Sequence, residues 1–309
     1  MKTVFMFSGQ GSQYVGMGRD LYENFECARD IFDKADKALG FSIKDICFNN
    51  EFELNKTENT QPAILTVSIA ALKILEQNGI NADYVAGLSL GEYSAYVASG
   101  VIDFEDAVKL VKKRGKYMTE AVPYGVGSMY AIMGLDRNVI LECCEKVSNI
   151  GYVSPANYNA PGQVVIAGVN NAVEKAVELA QEKGAKMTIK LNVSGPFHTA
   201  LLKPAAEKLK IELKNIEIKN MNIPVITNVT GEEVKSNEDI IPLLVKQVMS
   251  PVEWENTIKT LYKKGVNNFI EIGTGKVLTS FVKRTIKGVN IFNVEDVKSL
   301  EKTLLKLKS

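Results

Sequence analysis

Histidine is nearly missing from this sequence: His198 is the only one in 309 residues. A histidine-built metal centre is thereby excluded, no tight carboxylate cluster stands in for one, and no metal is expected. Cysteine is sparse too. Cys27, Cys47, Cys143 and Cys144 are scattered or adjacent, with no C-x-x-C among them. Adjacent cysteines rarely bridge, so these read as core thiols in a reducing cytoplasm. Neither sign of charge is in excess, since 37 Lys and Arg against 36 Asp and Glu leave +1. That balance gives no global pull toward nucleic acid or membrane, and neither is expected as a partner. No apolar run approaches the roughly 18 residues of a membrane span. The opening MKTVFMFSG has only Thr3–Phe7 between Lys2 and Ser8, too short for a signal peptide, so a cytoplasmic location is expected. Internal repeats and low-complexity segments are missing as well, which leaves no sign of a disordered linker.

What is present reads as a soluble globular chain of one or two domains, 46% hydrophobic and 24% charged. TVFMF (3–7) reads as a buried strand entering the glycine-rich turn SGQGSQYVGMG. Helical patterns follow at about 20–38 and at 60–79, the second stopped by Gly79. DYVAG (83–87) is strand-like, and GEYSAYVASG is a short helix closed by Gly100. Next come a strand (VGSMYAIMGL), a helix capped by Asp136, a hairpin about Pro161-Gly162, a helix (NNAVEKAVELAQEKG) and a strand (MTIKLNVS). That β-α-β-β-α-β order is ferredoxin-like. IPVITNV (223–229), NNFIEIG (267–273) and GVNIFNV (288–294) add further strands. The fold class expected is α/β, a mostly parallel sheet core spanning 1–124 and 196–309, with a small ferredoxin-like subdomain inserted at 125–195.

The candidate chemistry centres on VAGLSLGEYSA, which contains G-x-S-x-G between a strand and a helix. That setting suits a nucleophilic Ser89 on a sharp turn, although a small residue between two turn glycines is the plain alternative. A serine nucleophile needs a base, and His198 is the sole histidine available. In VSGPFHTALLKPAAEKL it sits where a turn gives way to a helix, with Ser194 as a cap and Pro196 in the first turn. The helix dipole there would keep the imidazole neutral, as a base must be. The plain alternative is a structural histidine satisfied by backbone. No Asp or Glu stands at a persuasive strand end between Ser89 and His198, so a carbonyl or amide could orient the ring instead.

In DFEDAVKLVKKRGKYMTEA, with Asp103 as cap, Ala107, Val108, Val111 and Met118 form an apolar stripe. At about 100° per residue, Arg114 falls about 20° from Ala107, whereas Lys109, Lys112, Lys113 and Lys116 point away. An inward guanidinium requires an anion, either an internal carboxylate or that of a substrate. The glycines of FSGQGSQYVGMG expose backbone N–H groups suited to an oxyanion or a phosphate. They form no dinucleotide fingerprint, because Tyr14 stands where glycine is required. GTGK (273–276) is no P-loop, because Ile270 replaces the leading glycine.

Together these stretches resemble the malonyl-CoA:acyl carrier protein transacylases of bacterial fatty acid synthesis. The likeness runs through GQGSQYVGMG, TQPAILT, GLSLGEYSA, KRGKYMTEAVP, NYNAPGQVVIAG, SGPFH, QVMSPVEW and EIGTGKVL in order. It implies an α/β-hydrolase-like core and a ping-pong reaction without cofactor. Malonyl-CoA and acyl carrier protein would be the partners of a monomeric enzyme. Ser89 would carry the malonyl group, His198 would be the base, and the Gln247 carbonyl would orient His198. The N–H groups of Gln10 and Leu90 would form the oxyanion hole. Arg114 would pair with the malonyl carboxylate, while Gln61 and Asn157 would line the site.

Departures from the family pattern are Leu88 in place of histidine, and Ser8 and Thr274 in place of prolines. Leu88 bears on pocket shape, and Phe197 resembles the residue of malonyl-selective acyltransferases. A basic docking surface for the carrier would draw on Lys112, Lys113, Lys116, Lys283 and Arg284. A polyketide-serving acyltransferase shares these motifs. A serine esterase or thioesterase and a non-catalytic scaffold are the other classes.

Overall fold

The computed structural model describes residues 1–307. The strands are β1 (Lys2–Phe7), β2 (Tyr84–Gly87), β3 (Gly127–Met133), β4 (Val153–Ala160), β5 (Gln163–Val169), β6 (Met187–Lys190), β7 (Val225–Ile226), β8 (Val266–Ile272) and β9 (Asn290–Val294). Two sheets result. The larger is parallel, in the order β7-β2-β1-β8-β9, and the smaller is antiparallel, in the order β4-β5-β3-β6. β1 lies at the centre of the larger sheet, and its run Thr3–Phe7 is buried throughout. A continuous apolar strand of this kind is what a parallel sheet covered on both faces requires.

Two apolar clusters cover this sheet. One gathers Phe5, Phe7 and Val85 with the helices Glu26–Leu39, Thr57–Gln77 and Phe104–Ala121. The other gathers Val4, Met6 and Ala86 with the helices Trp254–Lys263 and Val277–Thr285. The alternation of β1 residues between the two clusters follows from the period of two along a strand.

Several sequence expectations are revised. The helix expected at about 20–38 is broken at Phe25, whose extended backbone separates Arg19–Asn24 from Glu26–Leu39. The helix expected at 60–79 begins at Thr57 and ends at Gln77, carrying Pro62 inside it. The strands expected at 187–194 and 223–229 shrink to Met187–Lys190 and Val225–Ile226. Asp103 occupies the N-cap position but caps nothing; its carboxylate meets Lys219 Nζ at 2.6 Å instead. Asp136 does cap its helix, accepting from the Asn138 N–H at 2.8 Å.

Candidate active site

The nucleophile turn follows β2 at the C-terminal edge of the parallel sheet, where open α/β sheets place their ligands. Ser89 has φ 54°, in the left-handed region that non-glycine residues seldom occupy. Asn228 holds this conformation from both sides, accepting from the Ser89 N–H and donating to the Gly87 carbonyl, each at 2.6 Å. Gly91 is required here, because a Cβ would lie 2.1 Å from the Phe7 carbonyl oxygen. The helix Gly91–Ala98 can therefore start directly against β1 and leave the Ser89 hydroxyl facing outward.

Ser89 Oγ lies 2.7 Å from His198 Nε2, and His198 Nδ1 lies 2.9 Å from the Gln247 carbonyl oxygen. A carbonyl only accepts, so Nδ1 carries the proton and Nε2 presents its lone pair to the serine. Gln247 ends the helix Asn237–Gln247. The carbonyls of a last helical turn have no helical partner and carry partial negative charge, so an acid is unnecessary in this role.

The helix expected to begin around His198 starts later, as a 3-10 turn at Ala200. Ser194 caps nothing and pairs with Thr57 Oγ1 at 2.9 Å, and Pro196 lies in the turn upstream. The imidazole is kept neutral by burial and secondarily by the Arg114 charge, which together pull it down to about 4. His198 also has φ 60°, so both members of the dyad sit on left-handed backbone. A base of this kind is unprotonated above its pKa. Attack by Ser89 should therefore change little between pH 7 and 5 and slow below about 4, which a pH–rate profile of Ser89 acylation checks.

Arg114 is 1% exposed, so the periodicity placed it correctly on the inward face. Its Nη1 donates to Gln61 Oε1 at 2.9 Å. Its Nη2 donates to Gln247 Oε1 at 3.0 Å and to Ser89 Oγ at 3.2 Å. Its Nε has no hydrogen-bond partner. Among the described residues no carboxylate forms an ion pair with it, so the internal salt bridge left open by the sequence does not form. A buried cation held by neutral oxygens beside a nucleophile is suited to receive an anion. Lys109, Lys113 and Lys116 of the same helix pair outward with Asp106, Glu212 and Glu120.

A cavity of about 540 Å³ opens over this pair, lined among others by Gln10, Leu88, Ser89, Asn157, Phe197 and His198. Gln61, Leu90, Arg114 and Gln247 stand behind its wall, each at most 1% exposed. The N–H groups of Gln10 and Leu90 donate to no protein acceptor among the described residues. The Gln10 side chain is tied back to Thr57 Oγ1 at 3.1 Å.

Gly9 lies so close to the serine turn that a Cβ would meet the Leu88 carbonyl oxygen at 2.4 Å and Leu88 Cδ2 at 3.2 Å. Leu88 is thus the residue on which the glycine loop rests, and it packs on the apolar cluster around Ile226 and Phe281. Ser8 and Thr274 act together. Thr274 Oγ1 meets Ser12 Oγ at 2.6 Å and Ser8 Oγ at 3.4 Å, and Ser12 donates to the Gly9 carbonyl at 2.7 Å.

Two residues that sequence reasoning missed belong to the site. One is Asn228. The other is Glu92, fully buried, which accepts from Gln247 Nε2 at 2.8 Å and the Asn228 N–H at 3.1 Å. Burial pushes its carboxyl up to about 7, although those hydrogen bonds and Arg114 oppose the shift. The signal was an acid inside GEYSAY, a helical stretch with no other charge.

The profile of the acyl transferase domain family matches residues 4–303. The chain belongs to this family. The family's curated members include the malonyl CoA-acyl carrier protein transacylase of Bacillus subtilis, 47% identical over 99% of this chain and 98% of its own length. Among solved structures, the malonyl CoA-acyl carrier protein transacylase of Clostridium perfringens is 50% identical and superposes with a TM-score of 0.97, covering 100% of this chain and 98% of its own. A further acyl transferase, a malonyl-transacylase solved with its type II PKS acyl-carrier protein, is 43% identical with a TM-score of 0.96, over 99% and 100% of the two chains.

Proposed function

We infer that the protein transfers a malonyl group from malonyl-CoA to the phosphopantetheine thiol of an acyl carrier protein, supplying fatty acid synthesis. The observation that carries this reading is the placement of Ser89 Oγ between His198 Nε2 at 2.7 Å and Arg114 Nη2 at 3.2 Å. One neighbour is a base. The other is a buried cation matched to a carboxylate a few bonds from the reacting carbonyl.

In this mechanism His198 Nε2 takes the hydroxyl proton as Oγ attacks the thioester carbon. The developing oxyanion is received by the N–H groups of Gln10 and Leu90. The C–S bond breaks, His198 returns the proton to the leaving thiolate, and malonyl-Ser89 remains. The carrier's thiol then gives its proton to His198 and attacks the ester carbon; the Oγ–C bond breaks and His198 returns the proton to Ser89 Oγ. Arg114 holds the malonyl carboxylate through both halves, assisted by Gln61, while Asn157 and Phe197 shape the wall and Phe197 crowds an α-methyl group. All the chemistry is supplied by side chains and backbone, without a cofactor.

We read the larger sheet as an α/β-hydrolase-like core (1–124 and 196–309) and the smaller one as a ferredoxin-like subdomain (125–195). The protein is proposed to act as a cytoplasmic monomer; among the described residues no helix is long and apolar enough to cross a membrane. For the carrier, Lys283 and Arg284 are the better-placed cations. Their helix, Val277–Thr285, contributes Val277, Leu278 and Phe281 to the cavity lining.

Intact mass spectrometry after mixing with malonyl-CoA tests the reading. A malonyl adduct is expected that is lost in Ser89→Ala and discharges onto acyl carrier protein. Absence of any adduct under trapping conditions would overturn it, and hydrolysis outrunning transfer would make the protein a thioesterase. The 43%-identical complex with a polyketide carrier favours a second reading, a malonyltransferase serving a polyketide synthase. Relative discharge rates onto the two carrier types separate them.

A further inference from the structure

Two carboxylates are fully buried among the described residues, Glu92 and Glu271. Glu271 caps the helix Val277–Thr285, accepting from the N–H groups of Leu278 and Thr279 at 3.0 and 2.7 Å. Glu92 caps nothing. It stands three residues after Ser89, and a single amide joins it to the guanidinium. Gln247 Nε2 donates to Glu92 Oε2 at 2.8 Å, while Gln247 Oε1 accepts from Arg114 Nη2 at 3.0 Å.

The other ionisable groups around Glu92 are few. Arg114 faces it from the helix Phe104–Ala121, and Tyr93 and Tyr96 flank it on its own helix. Asp239, on the helix that ends at Gln247, bears on Tyr96 from beyond, and His198 feels Arg114 from the opposite side. Around Gln247 the described interior thus holds one cation, Arg114, and one acid, Glu92. A malonyl carboxylate arriving at Arg114 would bring a second anion. Two carboxylates sharing one buried cation cannot both remain ionised without a large penalty, and one of them is driven toward its protonated form.

We propose that Glu92 is the charge-compensating acid of this site, partly ionised at neutral pH before substrate arrives and taking up a proton when a malonyl carboxylate reaches Arg114. The proposal rests on the malonyl reading above. The hydrogen-bond pattern prepares Glu92 for it. Both backbone and amide donors converge on Oε2, so Oε2 serves as acceptor whether or not the group is charged. Oε1 faces the Tyr96 hydroxyl at 3.5 Å, where an added proton meets an acceptor. Burial already holds the carboxyl near 7, and a nearby anion that pushes it well above 8 keeps it protonated across pH 7 to 8.

The acylation itself is proton-neutral: the Oγ–C bond forms, the C–S bond breaks, and the serine proton leaves on the thiol. Any proton taken from solvent during loading therefore reports on the surrounding site. Linkage gives the sign, and malonyl loading weakens as pH rises above 7.

The test is loading in weak buffer with a pH-indicator dye, normalised to adduct measured by mass spectrometry. Wild type should take up about half a proton per malonyl-Ser89 at pH 7, rising toward one at pH 8. Acetyl-Ser89, which brings no carboxylate, should form without uptake. Glu92→Gln keeps an acceptor at the Oε2 position, and whatever malonyl adduct it forms, fast or slow, should form with no uptake per adduct. A malonyl adduct formed with no proton uptake at either pH overturns the proposal and leaves the function intact. Uptake that persists in Glu92→Gln overturns it too. No adduct at all removes the function and the proposal together.

Discussion

Arg114→Ala is expected to lower malonyl transfer by about a thousandfold while acetyl transfer is retained within a few-fold or rises. The asymmetry follows from where the guanidinium is held. Gln61 Oε1 and Gln247 Oε1 position it from behind, and its Nη2 is 3.2 Å from the nucleophile. Removing it takes away the proposed partner of the malonyl carboxylate. Beyond one donor to Ser89 Oγ, it takes away nothing that the acetyl group, the thioester or the oxyanion is proposed to meet. The steady-state kcat/KM for the two acyl-CoA substrates checks this, and an equal loss for both would make Arg114 a structural residue. Stability should also fall, since two buried amide oxygens lose their donor.

His198→Ala should lower single-turnover malonylation of Ser89 by about a thousandfold or more, with little change in substrate affinity. With the imidazole gone, the remaining side-chain partner of Ser89 Oγ is Arg114, which donates and cannot take a proton. The oxyanion donors are backbone groups that the substitution leaves in place, so residual loading should remain measurable. Loading within tenfold of wild type would mean that another group serves as the base.

Part of this site could be read from the sequence because its signals are local. Ser89 sits in a five-residue motif, His198 has no rival, and Arg114 is the one cation of its helix on the apolar stripe. The order of the smaller sheet's elements was legible for the same reason: period-two and period-3.6 patterns follow one another with turn residues between them. What escaped depends on distant partners. Asn228 follows a strand of only two residues and acts on a turn 139 positions away. Glu92 reads as an ordinary helical acid until Asn228 and Gln247 are seen to converge on it. The helix dipole is not the reason for a neutral His198: Ser194 and Pro196 shortly before a helical stretch look locally much like a helix start, but the helical turn begins only at Ala200. Burial and Arg114 were the actual causes, and neither is visible in SGPFH.

The hydrogen bonds gathered around Ser89 have a consequence for how the chain assembles this site. Ser89 meets His198 across 109 positions, Arg114 meets Gln247 across 133, and Gln247 meets the Ser89 carbonyl across 158. Closing loops of that length is slow compared with local helix formation, and each closure is entropically opposed until the packing that rewards it is in place. No stretch of chain ending before Gln247 contains the set. A nascent chain that stops short of Gln247 therefore lacks part of the set, which is completed only as the late-synthesised helix Asn237–Gln247 docks.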